Sequence, residues 1–297
     1  MAVQILLRYG ELALKSPPVR REFEHRLRRN ILEQFVAAGV SCRLRADHGH
    51  FYVEAEREEP ATSLLRRVFG VTSLSQVVEV ETERVKIREA ALQLVDPKLS
   101  PGSTFAVRAR RTGQHAFTSQ ELARDLGGDI LERWPDRALK VDLDSPQVEL
   151  FVEVRGPRTY LYTDRSRGPG GLPLGVAGQV VALVDGRRGA LGAFLMMKRG
   201  CRCAVVATGD GAGLVQETLK RFDPGARIEV SAAESADGTL ESLLTATRAD
   251  GIVLPLGMDD YPSARERWGD RVVFSPTVGL TDEEVDDRWR AIVQLAA

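Results

Sequence analysis

The segment from Gln179 to Gly200 constrains the fold more than any other part of the chain. QVVALV (179–184) is an apolar run of strand length, VDGRRGA (184–190) is turn-like, and a helix-length stretch comes next that ends in Lys198, Arg199 and Gly200. The pattern predicts a turn over 184–190 and a helix over 190–199. A strand, a tight turn and a helix in that order open nucleotide-binding α/β domains, in which the first amides of the helix face phosphates. Here Arg187 and Arg188 stand in the turn, where small residues and hydroxyls are usual.

The rest of the chain beyond Gly200 repeats the same logic. CAVVAT, LVQETLKRF, ARIEVS, a helix around Leu240 to Thr247, DGIVLPL and a last strand and helix through VVFSPTVGLTDEEVDDRWRAIVQL alternate strand and helix. Such alternation reads as a parallel sheet wrapped by helices, a Rossmann-like α/β domain over 169–297. GPGGLPLG (168–175) in front of it reads as a hinge, because four glycines and two prolines in eight residues cannot continue a helix or a central strand.

The chain before the hinge divides in two. Residues 1–81 read as βαββαβ, the ferredoxin-like layout. A strand at 3–8 is followed by a helix opened by Ser16, Pro17 and Pro18, with Val19, Phe23, Leu27, Ile31 and Phe35 as its apolar stripe and Arg21, His25 and Arg28 on another face. Two strands meet around Asp47 to Gly49, with His48 and His50 flanking the tip, and a short helix and the strand SQVVEVE complete the unit. Residues 82–168 form a second α/β unit. In it TFAVRARR alternates, with Phe105 and Val107 on one side and Arg108 and Arg110 on the other, and Arg111 at the end. A helix capped by Thr118 or Ser119 comes after it, with Leu122, Leu126, Ile130 and Leu131 as its stripe. Arginines along a strand with His115 and Phe117 beyond it suit the grip of phosphates and the stacking of a base at an RNA end. A strand with one solvated face shows the same alternation.

Charge sharpens this reading. The net charge of the 297 residues is −1, yet residues 223–297 carry 15 acids and 7 bases, a balance of −8 that leaves +7 for residues 1–222. A basic front can meet a polyanion, and an acidic end cannot. No apolar run reaches the ~18 residues of a membrane helix, and MAVQILLRYG lacks a basic start and cleavage site, so a cytoplasmic location is expected. Cys42, Cys201 and Cys203 offer too few ligands for zinc, and no metal site is expected.

Several blocks in this order resemble the tRNA sulfurtransferases that make 4-thiouridine. These are RYGELALKS with Arg20 to Leu32, VFGVTS, FAVRARR with FTSQELARDLG, VDLDSPQVELFVEVRG, GGLPLG, LMMKRG and, in worn form, SPTVGLTDEE. The resemblance implies a ferredoxin-like domain (1–81), a THUMP RNA-binding domain (82–168) and a PP-loop domain (169–297). It also implies tRNA, gripped near its acceptor end, as the partner. Arg108, Arg110 and Arg111 are the expected RNA contacts, with Arg21 and Arg28 beside them.

The departures from the family are as informative as the matches. In the family the strand before LMMKRG runs into SGGxDS. Here Val184, Asp185, Gly186, Arg187, Arg188 and Gly189 fill those places, and Asp282 stands where the late block has a lysine. Phosphoryl and nucleotidyl transfer rest on positioning and charge stabilisation. The expectation is therefore a tRNA-binding protein with a degenerate loop at 185–189, no catalytic residues and no cofactor. The alternative is an active enzyme using ATP and magnesium. A third reading is a scaffold whose acidic C-terminal domain docks a protein, and a homodimer is possible in any of them. No cysteine matches a sulfur carrier, with Cys201 and Cys203 the nearest candidates.

Overall fold

The computed structural model describes residues 3–10, 16–47 and 49–297, with the side chain of Tyr261 excepted. Glu11 to Lys15 of the RYGELALKS block and His48 at the hairpin tip lie outside the described residues. The front of the chain runs β1 (Val3–Tyr9), α1 (Pro17–Ala37), β2 (Cys42–Asp47), β3 (His50–Ala55), α2 (Glu58–Leu65) and β4 (Val71–Glu81), the expected βαββαβ order. Next come α3 (Arg84–Val95), β5 (Thr104–Thr112), α4 (Ser119–Arg133), β6 (Lys140–Val141), β7 (Val148–Arg155), β8 (Arg158–Tyr162) and β9 (Ser166–Arg167). Their strands take the order β2-β3-β1-β4-β8-β7-β5-β6, and β9 pairs with β4.

The chain forms two compact units: Met1–Leu6, Tyr52–Glu56 and Ser75–Ser166 in the first, and Leu7–Phe51, Arg57–Leu74 and Arg167–Ala297 in the second. In the first unit β5 pairs with β7 in parallel, and β7 and β4 flank β8 antiparallel. Ile87, Ala91 and Val95 of α3 and Leu122, Leu126 and Ile130 of α4 pack on Phe105, Leu150, Val152 and Leu161 of the sheet. Thr118 starts α4 with a reciprocal capping box: its hydroxyl accepts from the Glu121 amide at 3.1 Å, and the Glu121 carboxylate accepts from the Thr118 amide at 2.7 Å. Those bonds hold the Glu121 carboxyl below its ordinary range. Leu131, expected in the stripe, is exposed instead, because one residue beyond Ile130 is ~100° around the helix.

In the second unit β10 (Gln179–Val184), α5 (Arg187–Lys198), β11 (Arg202–Ala207), β12 (Ile228–Val230), α8 (Ala236–Thr247), β13 (Gly251–Val253), α9 (Tyr261–Trp268), β14 (Val273–Phe274) and α10 (Asp282–Ala296) build the expected α/β layer. Between β11 and β12 lie α6 (Gly211–Leu214), a π-helical turn (Val215–Leu219) and α7 (Lys220–Phe222). The sheet is all parallel, in the order β12-β11-β10-β13-β14. Both of its faces are covered, as parallel sheets require. Val180, Ala182 and Val184 of β10 join Leu191, Phe194 and Trp289 of α5 and α10, while Val181, Val206 and Ile252 meet Leu240, Leu243 and Trp268 of α8 and α9.

The first helix belongs to this second unit. Phe69, just after α2, meets Phe194 and Phe222 with ring centroids 5.2 and 5.4 Å away. The Asn30 amide donates to Leu174 O at 3.2 Å, and Gln34 donates to Phe222 O at 2.9 Å. These contacts explain why the buried stripe of α1 is Leu27, Ile31 and Phe35, flanked by Asn30 and Gln34, while Val19 is exposed.

They also correct the hinge reading of GPGGLPLG. Its backbone is bonded on both sides: Gly70 N donates to Gly170 O, Gly170 N to Val71 O, Leu172 N to Lys198 O and Gly175 N to Gly200 O. Gly171 has a φ of +72°, and a Cβ there would stand 2.1 Å from Lys198 O. The glycines permit close backbone packing rather than motion. No described helix is long and apolar enough to cross a membrane.

Candidate functional site

Two places bring the expected site residues together, one in each unit. In the first, β5 carries Arg108, Arg110 and Arg111 along the parallel β5–β7 pair. The Arg108 guanidinium is already engaged, donating from Nε to Glu149 at 3.0 Å and from Nη2 to Leu143 O at 2.5 Å. Arg111 donates to Gly113 O at 3.1 Å and is exposed. Arg110 is exposed too, and it has no recorded partner among the described residues. Past the strand end, His115 bonds Thr112 O at 3.1 Å and stacks on Phe117 at a centroid distance of 5.9 Å, while the Arg84 guanidinium lies 5.2 Å from the centre of the Phe117 ring. Arg21 and Arg28 are both exposed on α1, in the other unit, and Arg28 donates to Leu44 O at 3.4 Å.

The second place is the carboxyl end of the parallel sheet. Chain connections leave β10 toward β11 on one side and reach β13 on the other, so the crevice between β10 and β13 is the switch point at which open α/β sheets take ligands. A cavity of about 350 Å³ opens there, lined by Leu183, Asp185, Leu254, Asp237, Asp260 and Trp268 among others. Strand order alone locates this crevice, and strand order is invisible in a linear reading. Asp237 and Asp260, absent from the sequence expectations, lie far from the loop in the chain.

The loop itself differs from expectation. The turn is shorter than predicted, because Gly186 is the N-cap and α5 begins at Arg187, placing both arginines in its first turn. Gly189 and Gly211 let the backbone crowd the end of β10. A Cβ on them would lie 2.5 Å from Leu183 O and 1.8 Å from Val184 O. Arg187 pairs with Asp286 at 2.9 Å. Arg188 donates to Thr277 O at 2.8 Å, to Leu280 O at 2.9 Å and to Asp282 Oδ1 at 2.8 Å. Asp185 remains at the end of the strand, exposed. A glycine-permitted close turn, a helix N-terminus and a fixed guanidinium fit the phosphates of a nucleotide, although the hydroxyls of the family loop are missing.

The cysteines do not gather at either place. Cys201 and Cys203 are buried, donating to Ala177 O and Ala193 O, and burial pushes both thiols up, away from the thiolate that sulfur transfer needs.

Known proteins resemble the chain along its length. The ThiI ferredoxin-like domain matches residues 4–75 and the THUMP domain matches residues 81–164. A probable tRNA sulfurtransferase of Saccharolobus solfataricus is 32% identical over 320 aligned positions, covering 95% of this chain and 84% of the relative. The chain belongs to the tRNA sulfurtransferase family. The Methanothermobacter thermautotrophicus relative is 39% identical over 208 residues, which cover 68% of this chain and 51% of that protein. The chain thus spans about half the length of the first curated relatives it matches.

Among solved structures, PH1313 from Pyrococcus horikoshii superposes with a TM-score of 0.84 at 29% identity, covering 97% of this chain and 99% of that one. A 4-thiouridine synthetase in complex with RNA and bound ATP gives a TM-score of 0.82 at 22% identity, covering 100% of this chain and 86% of that one, a likeness of fold. That structure overturns the expectation that no cofactor is involved, because a protein of this fold holds ATP.

Proposed function

We propose that this chain binds tRNA through its THUMP-containing unit, takes ATP at the carboxyl end of its parallel sheet and transfers sulfur to the tRNA, as a member of a family whose relatives are named tRNA sulfurtransferases. One observation carries the reading: the Saccharolobus solfataricus alignment runs through both regions, covering 95% of this chain. Arg110 and Arg111 are the exposed cations of β5, and Arg108 reinforces them while tied to Glu149. Arg21 and Arg28 are weaker contacts on α1. The acceptor end of tRNA is the expected target, so trimming its 3′ terminus costs more affinity than altering the anticodon. The domain limits 81 and 168 belong to this proposal. So do self-association and a protein partner at the acidic 223–297 region, the partner resting on charge balance.

A second reading is favoured by the loop at 185–189: ATP is held without sulfur transfer. Arg187 and Arg188 face Asp286 and Asp282, and neither thiol near the sheet is poised as a thiolate. Incubating the purified chain with tRNA, ATP and a sulfur donor separates the two. Formation of 4-thiouridine together with ATP–pyrophosphate exchange supports transfer. Saturable ATP and tRNA binding without either product supports the second reading, and failure to bind tRNA sinks both.

A further inference from the structure

We propose that Arg188 is the phosphate-binding group of the nucleotide site and that the Asp282 carboxylate competes with the phosphate for it. The inference rests on the nucleotide reading above and adds the residue and the device. A guanidinium presents five donors in a planar fork. Two of its contacts here are to main-chain carbonyls, Thr277 O and Leu280 O, at 2.8 and 2.9 Å, which fix the plane against the segment leading into α10. The side chain is 21% exposed, so the fork is held in place at the surface of the loop.

The third contact is of another kind. Asp282 reaches Nη2 at 2.8 Å, yet its side chain is 97% exposed. An ion pair in such contact with water contributes little, and its carboxylate is the replaceable ligand of the three. A phosphate carries more charge and more acceptor oxygens, and it takes a guanidinium in bidentate fashion. The first turn of α5, where Arg188 sits, adds its unspent amides and the positive end of the helix dipole. Thr277 anchors the guanidinium from the interior: it is fully buried, and its carbonyl accepts from Arg188.

Calorimetric titration of the full chain with ATP, inorganic pyrophosphate, adenosine and tRNA tests the proposal. Asp282→Asn removes the competing charge on an exposed side chain and leaves the fold intact. It is expected to tighten ATP and pyrophosphate by roughly three- to ten-fold and to leave adenosine unchanged, an effect that shrinks as salt screens it. Arg188→Gln is expected to weaken both phosphate compounds at least about ten-fold, with Arg188→Lys intermediate because it keeps charge and loses the fork. Unchanged or weaker ATP and pyrophosphate binding in Asp282→Asn overturns the proposal, whether or not Arg188→Gln folds. An Arg188 effect confined to tRNA overturns it too, assigning the guanidinium to RNA. ATP binding that ignores both variants sinks this inference and keeps the nucleotide reading, whereas pyrophosphate tightening without any ATP or adenosine binding does the reverse.

Discussion

At the scale of single residues, the useful distinction is between arginines that are spent and arginines that are free. Arg108 already satisfies Glu149 and a main-chain carbonyl, whereas Arg110, two residues on, is exposed with no recorded partner among the described residues. Arg110→Glu is therefore expected to weaken tRNA more than Arg108→Glu, by roughly 5- to 20-fold near physiological salt, and to lower the salt slope by about 1. Filter binding across a salt series measures both, and equal affinity in wild type and Arg110→Glu removes β5 from the interface.

A second residue-scale prediction concerns Asp223, which is buried 3.7 Å from Arg202. Burial raises its carboxyl above the ordinary value, and Arg202 opposes the shift. A carboxyl raised in the folded state favours folding when protonated. Its contribution is thus present below the unfolded value, about 3.9, and is lost as pH rises through the window up to the raised folded value. Asp223→Asn should flatten that part of the stability profile, so the variant gains relative to wild type as pH rises above about 4. Parallel thermal melts check it, and a mutant that loses ground over that interval contradicts the assignment.

At the scale of elements, the sequence was most legible where a local signal governs. Thr118 and Glu121 announce the start of α4, and the βαββαβ order of β1 to β4 comes from alternation and turn residues. Thr118→Ala removes one half of the capping box and should cost about 1 kcal/mol, read as a lower denaturation midpoint for the full chain. An unchanged midpoint would mean that tertiary packing alone sets the end of the helix. Legibility failed where long-range packing decides. Asn30 and Gln34 carry no local signal in the sequence of α1, yet they bond Leu174 and Phe222, more than 140 residues away. The arginines of the loop were visible, but their partners on and before α10, Asp286, Asp282, Leu280 and Thr277, could be assigned only with the fold in hand. The nucleotide crevice was hidden for the same reason, since it is a property of strand order.

At the scale of the whole molecule, compactness does not keep to the linear order of domains. Leu7–Phe51 and Arg57–Leu74 pack in the unit that holds Arg167–Ala297, with Phe69 in one cluster with Phe194 and Phe222. A fragment ending at residue 168 would expose the Phe69 surface and leave Asn30 and Gln34 without their carbonyl partners. We expect it to be poorly soluble or to lack a cooperative melt, and a well-folded fragment 1–168 would show that these contacts are dispensable. That the intact chain binds tRNA as a member of its family is tested by one measurement above others, the affinity of the whole chain for tRNA as a function of salt. Saturable binding is predicted, with a constant that falls linearly with salt on logarithmic axes, with a slope of several, and that weakens when the tRNA 3′ end is trimmed. Binding that is absent at low salt, or insensitive to both salt and trimming, would contradict it.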